Sequence, residues 1–362
     1  MEFARVRRVD TSPYKRVIAV SDIHGNGHLL KLLLSKLAFS TDDALFLLGD
    51  FIEKGKHSLE TVRQVMELCR AGNAFALQGN CDTLWDDLAA GLYNVDENTY
   101  MNWRKDSLLC DMCAELSLER GRIGSAAVRR ELEAHYADVF AWLRALPHII
   151  DTDFATFVHA GLDGGALEMQ DAERCVKREA FLEERLCFEK TVVCGHIPTS
   201  NYFHLTGGRL SYAPLQAQRE NIVCIDGGNA VKSSGQLNAF VFDGAKRYFI
   251  HADDLPEISV CERQEGAGEP ASVAWNHREV EPVERRTHGT LCRVCFTGKL
   301  LEIPDSMLFY ENETLCSYDY TDYRLPLEPG DRVKLLQSGE TDSLVKHEGV
   351  LGWAKTAILT HR

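Results

Sequence analysis

The chain has no long apolar run. None reaches the ~18–20 residues that a membrane-crossing helix needs, so no membrane partner is expected. Positive charge is short as well: 40 Lys and Arg stand against 54 Asp and Glu, a net charge of -14. That balance argues against a general polyanion binder, DNA included. An anionic substrate is compatible with it only where local cations, metal ions among them, override the field. The basic N-terminal segment, residues 1–15, has no apolar core behind it and does not read as a secretory signal. Cysteine is not scarce, with 12 residues, but thiols such as Cys69, Cys194 and Cys224 lie in apolar runs. They suit a reducing cytoplasm, the expected location, better than a disulfide framework. Cys110/Cys113 and Cys292/Cys295 have Cys-x-x-Cys spacing. They sit far apart in segments of different character and read as packing rather than as a zinc site. At 362 residues the chain is comfortable for two domains.

Short apolar runs alternate with helical patterns. Residues 16–22 read as a strand, 27–39 as a helix with Leu29, Leu30, Leu33, Leu34 and Leu37 on one face, 44–48 as a strand, 58–70 as a helix capped by Ser58, and 74–77 as a strand. Further strands are expected at 155–158, 191–194 and 221–225, with a hairpin at 237–250 turning at Asp243-Gly244. This alternation predicts an α/β domain with a parallel sheet covered on both faces, whose ligands bind beyond the carboxyl ends of the strands. From about 83 to 146 the pattern turns helix-prone and charged and carries Trp85, Trp103 and Trp142. It is expected to be a helical insertion that covers the site or selects substrate. Residues 253–289, with Gly, Glu and Pro, read as a linker, and 290–362 as a small all-β domain.

The strand ends carry the chemistry. Asp22 and His24 follow the first strand two residues apart, so they point the same way on extended backbone. Asp50, Asn80, His159 and His196 each follow a later strand. Carboxylates, imidazoles and an amide gathered at one sheet edge suit two divalent cations about 3.5–4 Å apart, with water activated between them as the nucleophile on phosphorus.

These residues sit in motifs: Asp22-x-His24-Gly25, Gly49-Asp50-x-x-Glu53-Lys54-Gly55, Gly79-Asn80-Cys81-Asp82, His159-Ala160-Gly161-Leu162 and Gly195-His196. Their order resembles the calcineurin-like metallophosphoesterases. It is most similar to the phosphoprotein phosphatase branch, which includes symmetrical diadenosine tetraphosphatases. The resemblance covers roughly residues 16 to 250. It implies a two-sheet, four-layer β-sandwich flanked by helices. Asp22, His24 and Asp50 would hold one cation and Asp50, Asn80, His159 and His196 the other, with Asp50 bridging. Manganese is the expected metal, and iron or zinc also suit such N/O donors.

Two departures bear on mechanism. Cys81 stands where the branch places a histidine that protonates the leaving oxygen, and Glu53-Lys54 stands for an Asp-Arg pair. A thiol is a weak acid here, and Lys54 keeps the phosphate-facing charge but loses the guanidinium fork. Cys81, Asp82, Glu53 and Lys54 are therefore candidate catalytic residues beside Asp50 and Asn80, and substrates with good leaving groups are favoured. The expected function is a phosphomonoesterase of the serine/threonine protein phosphatase type. The alternatives are a nucleotide or dinucleotide polyphosphate hydrolase or phosphodiesterase, and a catalytically weak scaffold. The all-β segment resembles an SH3-like domain at Gly330-Asp331-Arg332-Val333 and Gly352-Trp353-Ala354, with a protein or peptide ligand as its possible partner.

Overall fold

The computed structural model describes residues 2–92, 97–118, 126–217 and 221–360. The chain divides into two compact units, Met1–Ile197 with Pro214–Asp253, and Pro198–Ala213 with Asp254–Arg362.

In the first unit the strands are β1 (Val6–Arg8), β2 (Arg16–Val20), β3 (Asp43–Leu47), β4 (Ala74–Ala76), β5 (Ile149–Asp151), β6 (Ala155–Val158), β7 (Thr191–Cys194), β8 (Leu215–Ala217), β9 (Ile222–Cys224), β10 (Leu237–Asp243) and β11 (Lys246–Ala252). They form two sheets, β11-β10-β2-β3-β4 and β1-β5-β6-β7-β9-β8. Two sheets are what the resemblance implied, but the purely parallel pairing read from the alternation is corrected. β2, β3 and β4 run parallel, but β10 pairs antiparallel with β2. β6, β7 and β9 run parallel, with β5 and β8 antiparallel beside them. The reason lies in β2, which is apolar on both faces. Val17 and Ala19 pack in the cluster with Phe46, Phe157, Val193 and Val223, between the sheets. Ile18 and Val20 pack in the cluster with Leu30, Leu33, Val62 and Val65 of the helices α1 (Gly27–Lys36) and α2 (Ser58–Arg70). Phe46 stacks on Phe157 across the sandwich at 4.3 Å between centroids, an arrangement worth ~0.5–1.5 kcal/mol beyond area burial. The hairpin turns one residue later than expected, because Asp243 still pairs with Lys246. Ser58 does not cap α2; it accepts the Glu53 N–H at 2.9 Å, and His57 precedes the helix.

The insertion is helical where described, with α3 (Leu84–Ala89), α4 (Glu97–Trp103), α5 (Leu108–Glu115), α6 (Ala126–His135) and α7 (Ala137–Ala145). Its stretches 93–96 and 119–125 lie outside the described residues. Trp85 is buried and stacked on Phe140, and Trp142 packs beside Phe51, whereas Trp103 is exposed.

The second unit is all-β apart from short 3-10 turns. The linker reading of 253–289 does not hold. Glu257–Val260 is a strand inside a five-stranded antiparallel sheet, paired with Arg332–Gln337 and Leu359–Thr360, and Val280–Arg285 pairs with Thr290–Val294. Ile258 and Val260 alternate into a core with Val333, Val345 and Ala354, the period-2 burial of a one-sided sheet. No helix among the described residues is long and apolar enough to cross a membrane.

Candidate metal centre

Each donor sits where an apolar strand stops, and at four of the six the backbone turns into the left-handed region. Asp22, His24, Asp50 and His196 all have φ between 47° and 72°, as do Glu53 and Lys54. Non-glycine residues held there cost of order 1–3 kcal/mol each and persist only where surroundings fix them. The surroundings here are specific. Asp22 N and His24 N donate to Gly49 O and Asp50 O, and Asn229 Nδ2 donates to Asp22 O and to Ile23 O at 2.7 Å. Gly195 must lack a side chain, since a Cβ would stand 2.0 Å from Ser21 Oγ and 2.3 Å from Asp22 Oδ2. That close approach lets His196 N donate to Asp22 Oδ2 at 3.0 Å.

The side chains converge. His24 Nε2 lies 3.6 Å from Asp22 Oδ1 and 3.6 Å from Asp50 Oδ2. His159 Nε2 lies 3.6 Å from Asp50 Oδ1 and 3.1 Å from Asn80 Oδ1. Asp50 thus turns one oxygen toward each imidazole. The His196 ring centroid is 5.1 Å from that of His159. The structure brings all six expected ligands together, with Asp22, His24, Asp50 and His159 buried and Asn80 and His196 half-buried.

Both inner imidazoles are oriented from behind. His24 Nδ1 pairs with Ile52 O at 3.2 Å and His159 Nδ1 with Leu48 O at 2.7 Å. A carbonyl at Nδ1 fixes that proton and turns Nε2 inward, as in metal-ligating histidines. Burial, and then the Lys54 charge, lower His24 to about 4, keeping it neutral. Burial lowers His196 to about 4 as well, with His159 beside it. Burial works against the charged form of Asp50 too, but the His159 and Lys54 charges and the Cys81 N–H outweigh it and hold the carboxyl below its usual range.

Charge decides what the cluster can hold. Asp22, Asp50, Asp82 and Asp226 are all buried, and Lys54, whose Nζ lies 3.3 Å from His24 Nε2, is the ammonium among them. An uncompensated buried ion costs several kcal/mol. Burial and the Asp50 charge push Asp82 up to about 7, burial and the Asp22 charge push Asp226 up, and, against burial, Asp50 and Asp22 raise His159. Bound divalent cations would reverse each of these shifts, so the donor set fits them. Asp22, His24, Asp50, Asn80, His159 and His196 would hold them.

Two candidate catalytic residues are corrected. Asp82 spends its carboxylate on the backbone: Oδ2 accepts from Asp50 N and Gly79 N, and Oδ1 from Phe51 N, at 2.8–3.0 Å. It braces the loops after β3 and β4. Glu53 accepts Tyr100 Oη–H at 2.7 Å and Leu108 N–H at 2.9 Å, which ties the insertion to the Lys54 loop and leaves neither oxygen to orient a residue at position 81. Burial raises Glu53 to about 7. Cys81 is buried at the centre, and burial, then the Asp50 charge, push its thiol well above its ordinary range, which weakens it as a proton donor. Sequence reasoning gave no role to Asn229 or Tyr100. Asn229 closes Asp226-Gly227-Gly228-Asn229 after β9, the same strand-end signal that marked the ligands.

Residues 15–228 match the calcineurin-like phosphoesterase family, and the chain belongs to it, a metallophosphoesterase by family. Over 64 residues it is 42% identical to serine/threonine-protein phosphatase 2 of Salmonella typhimurium, covering 17% of this chain and 29% of that protein. Over 84 residues it is 37% identical to the symmetrical bis(5'-nucleosyl)-tetraphosphatase of Buchnera aphidicola, covering 23% and 30%. The matches therefore span under a third of these relatives. Among solved structures, a cold-active protein-tyrosine phosphatase of a Shewanella species is similar over 68% of this chain and 81% of that one, with TM-score 0.42 and 14% identity.

Proposed function

We propose that the protein is a dinuclear metal-dependent phosphoesterase that hydrolyses phosphomonoesters of the serine/threonine phosphatase type. The observation that carries this reading is the Asp50 carboxylate, buried, with one oxygen facing His24 and the other His159. A bridging ligand needs that arrangement. Two divalent cations bound there would polarise the phosphoryl oxygens and activate the attacking water; manganese is the first to supply.

The chain's own residues do the rest. Lys54 steadies a phosphoryl oxygen with its ammonium. Asn80 Oδ1 and His159 Nε2, 3.1 Å apart, form one side of the pocket, and His24, locked by Ile52 O, forms the other. With Cys81 a weak acid and Glu53 committed to the insertion, proton delivery to the leaving group is poor. General-acid help is worth ~10²–10⁴ in rate, so turnover favours aryl phosphates and anhydrides over alkyl esters. A second reading, hydrolysis of nucleotide polyphosphates, is favoured by Trp103, exposed at the end of α4 and able to stack a base, and by the tetraphosphatase relative.

The test is a metal-loaded panel of an aryl phosphate, a phosphoserine peptide and diadenosine tetraphosphate. Manganese-dependent cleavage of the first two supports the phosphatase reading, and preference for the dinucleotide supports the second. Two bound cations without turnover of any substrate would leave the scaffold alternative. An SH3-like peptide-binding role for the second unit belongs to the same set of proposals, and a cytoplasmic location is part of it.

A further inference from the structure

The metal donors form two triads, each with its ligand atoms within 4.8 Å of one another: Asp22, Asp50 and His159, and His24, Asp50 and Cys81. Asp50 belongs to both. The first triad is built of oxygen and nitrogen donors. The second contains a sulfur. Resting on the dinuclear reading above, we propose that Cys81 Sγ is itself a ligand, bound as thiolate to the cation held by His24 and Asp50.

Position 81 is fixed for that role. Cys81 N donates to Asp50 Oδ1 at 2.8 Å, which ties its backbone to the shared carboxylate. Asn80 Nδ2 donates toward Cys81 Sγ at 3.6 Å while Asn80 Oδ1 faces His159, so the sulfur is the accepting partner in that contact. Gly79 lets the turn close, since a Cβ there would stand 2.3 Å from both Asp50 N and Asp50 Oδ1. Cys81 borders the apolar cluster under the helices, yet its sulfur shares a pocket with an imidazole and a carboxylate, which an ordinary core thiol does not need.

The step balances simply. The S–H bond breaks, its proton leaves to solvent, and the sulfur lone pair goes to the cation; nothing is oxidised or reduced. A thiolate selects softer metals, so the His24 side favours zinc or iron(II) while the Asn80–His159 side accepts manganese or magnesium. A bound thiolate has no proton to give, so Cys81 does not act as the general acid.

The test is spectroscopic. The metal-free full-length protein is loaded with two equivalents of cobalt(II), its cobalt content measured after dialysis, and its near-ultraviolet spectrum recorded beside that of Cys81→Ser. The expected result is a sulfur-to-cobalt charge-transfer band in the native protein, lost in the serine variant. Zinc affinity in the variant is expected to fall by at least the roughly 10–100-fold that losing an outer partner costs. Two bound cobalt ions without that band would overturn the ligand assignment alone, as would a band of equal strength in Cys81→Ser. No bound cobalt at all would overturn the dinuclear reading and this inference with it. Should the variant fail to fold, X-ray absorption of the zinc-loaded native protein decides: a sulfur scatterer at ~2.3 Å supports the proposal and an all-nitrogen-and-oxygen shell overturns it.

Discussion

The two sheets of the first unit contribute different chemistry to one centre. The five-stranded sheet ends in Asp22, His24, Asp50 and Asn80, after β2, β3 and β4. The six-stranded sheet ends in His159, His196 and Asp226, after β6, β7 and β9. One brings the Asp50 carboxylate, the His24 imidazole and the ammonium of Lys54, the other the imidazoles of His159 and His196. Neither sheet alone gathers the full donor set. The donor set is a property of the sandwich, so cations bound there would depend on whatever holds the sheets together and would in turn stabilise the sandwich by mass action.

The largest effect should come from the residue that both sides share. Asp50→Asn keeps the size and the acceptor for Cys81 N but removes the charge and the second oxygen ligand. Metal analysis should find at least one cation lost. Aryl phosphate turnover should fall beyond the ~10–100-fold that follows removal of an outer partner of a ligand. Unchanged metal content would show that Asp50 does not bridge, and the comparison between the sheets would lose its meeting point.

Next comes the contact between the layers. Phe157 is fully buried and stacks on Phe46 at 4.3 Å. Phe157→Ala should cost ~3–5 kcal/mol, read as a lowered Tm. The rise in Tm on adding metal should also shrink, because the cavity lies between the two ligand-bearing edges. A lowered Tm with an undiminished metal response would mean the sheets are fixed relative to each other by other contacts.

How much of this was legible follows the same division. Strand ends were readable because an apolar run that stops at Asp, His or Asn is a local pattern, and five of them occur in order. Sheet pairing was not, since the antiparallel placement of β10 against β2 depends on register between distant segments. The strand at Glu257–Val260 was hidden for the same reason: its partner, Arg332–Gln337, is remote in sequence, and the Gly- and Glu-rich stretch after it masked the alternation of Ile258 and Val260. Glu53 and Asp82 could be placed in motifs, but their partners could not. Glu53 meets Tyr100 across 47 residues, and Asp82 meets backbone, which carries no sequence signature.

Acid should also weaken the edge of the six-stranded sheet. His148 is buried just before β5 and its Nδ1 accepts Arg5 N–H at 3.0 Å. Burial, then the Arg5 charge, lower it to about 4. The sign follows from proton counting. Between the unfolded value near 6.5 and about 4 the unfolded chain binds a proton that the folded chain refuses, so stability rises with pH there. It is fully present above the unfolded value and lost as pH falls through the folded one. The contribution is on the order of 2–3 kcal/mol. His148→Asn should flatten the difference in Tm between pH 4 and 6.5 relative to the native protein; parallel slopes in the two would remove His148 from the account.

The smallest effect sharpens the role of the insertion on the five-stranded side. Tyr100 Oη and Leu108 N hold Glu53, and the same loop presents Lys54 to His24. Tyr100→Phe removes one hydrogen bond to a buried carboxyl and should cost about 1–2 kcal/mol. If the insertion only covers the fold, that loss appears in Tm and nowhere else. If it sets the Lys54 loop, KM for the aryl phosphate should rise by a few fold with little change in kcat, because Lys54 touches the phosphoryl group in ground and transition states alike. Leu88→Ala provides the control, since that buried contact lies in the apolar cluster that the insertion shares with α1 and α2: it should lower Tm by more and leave KM where it was.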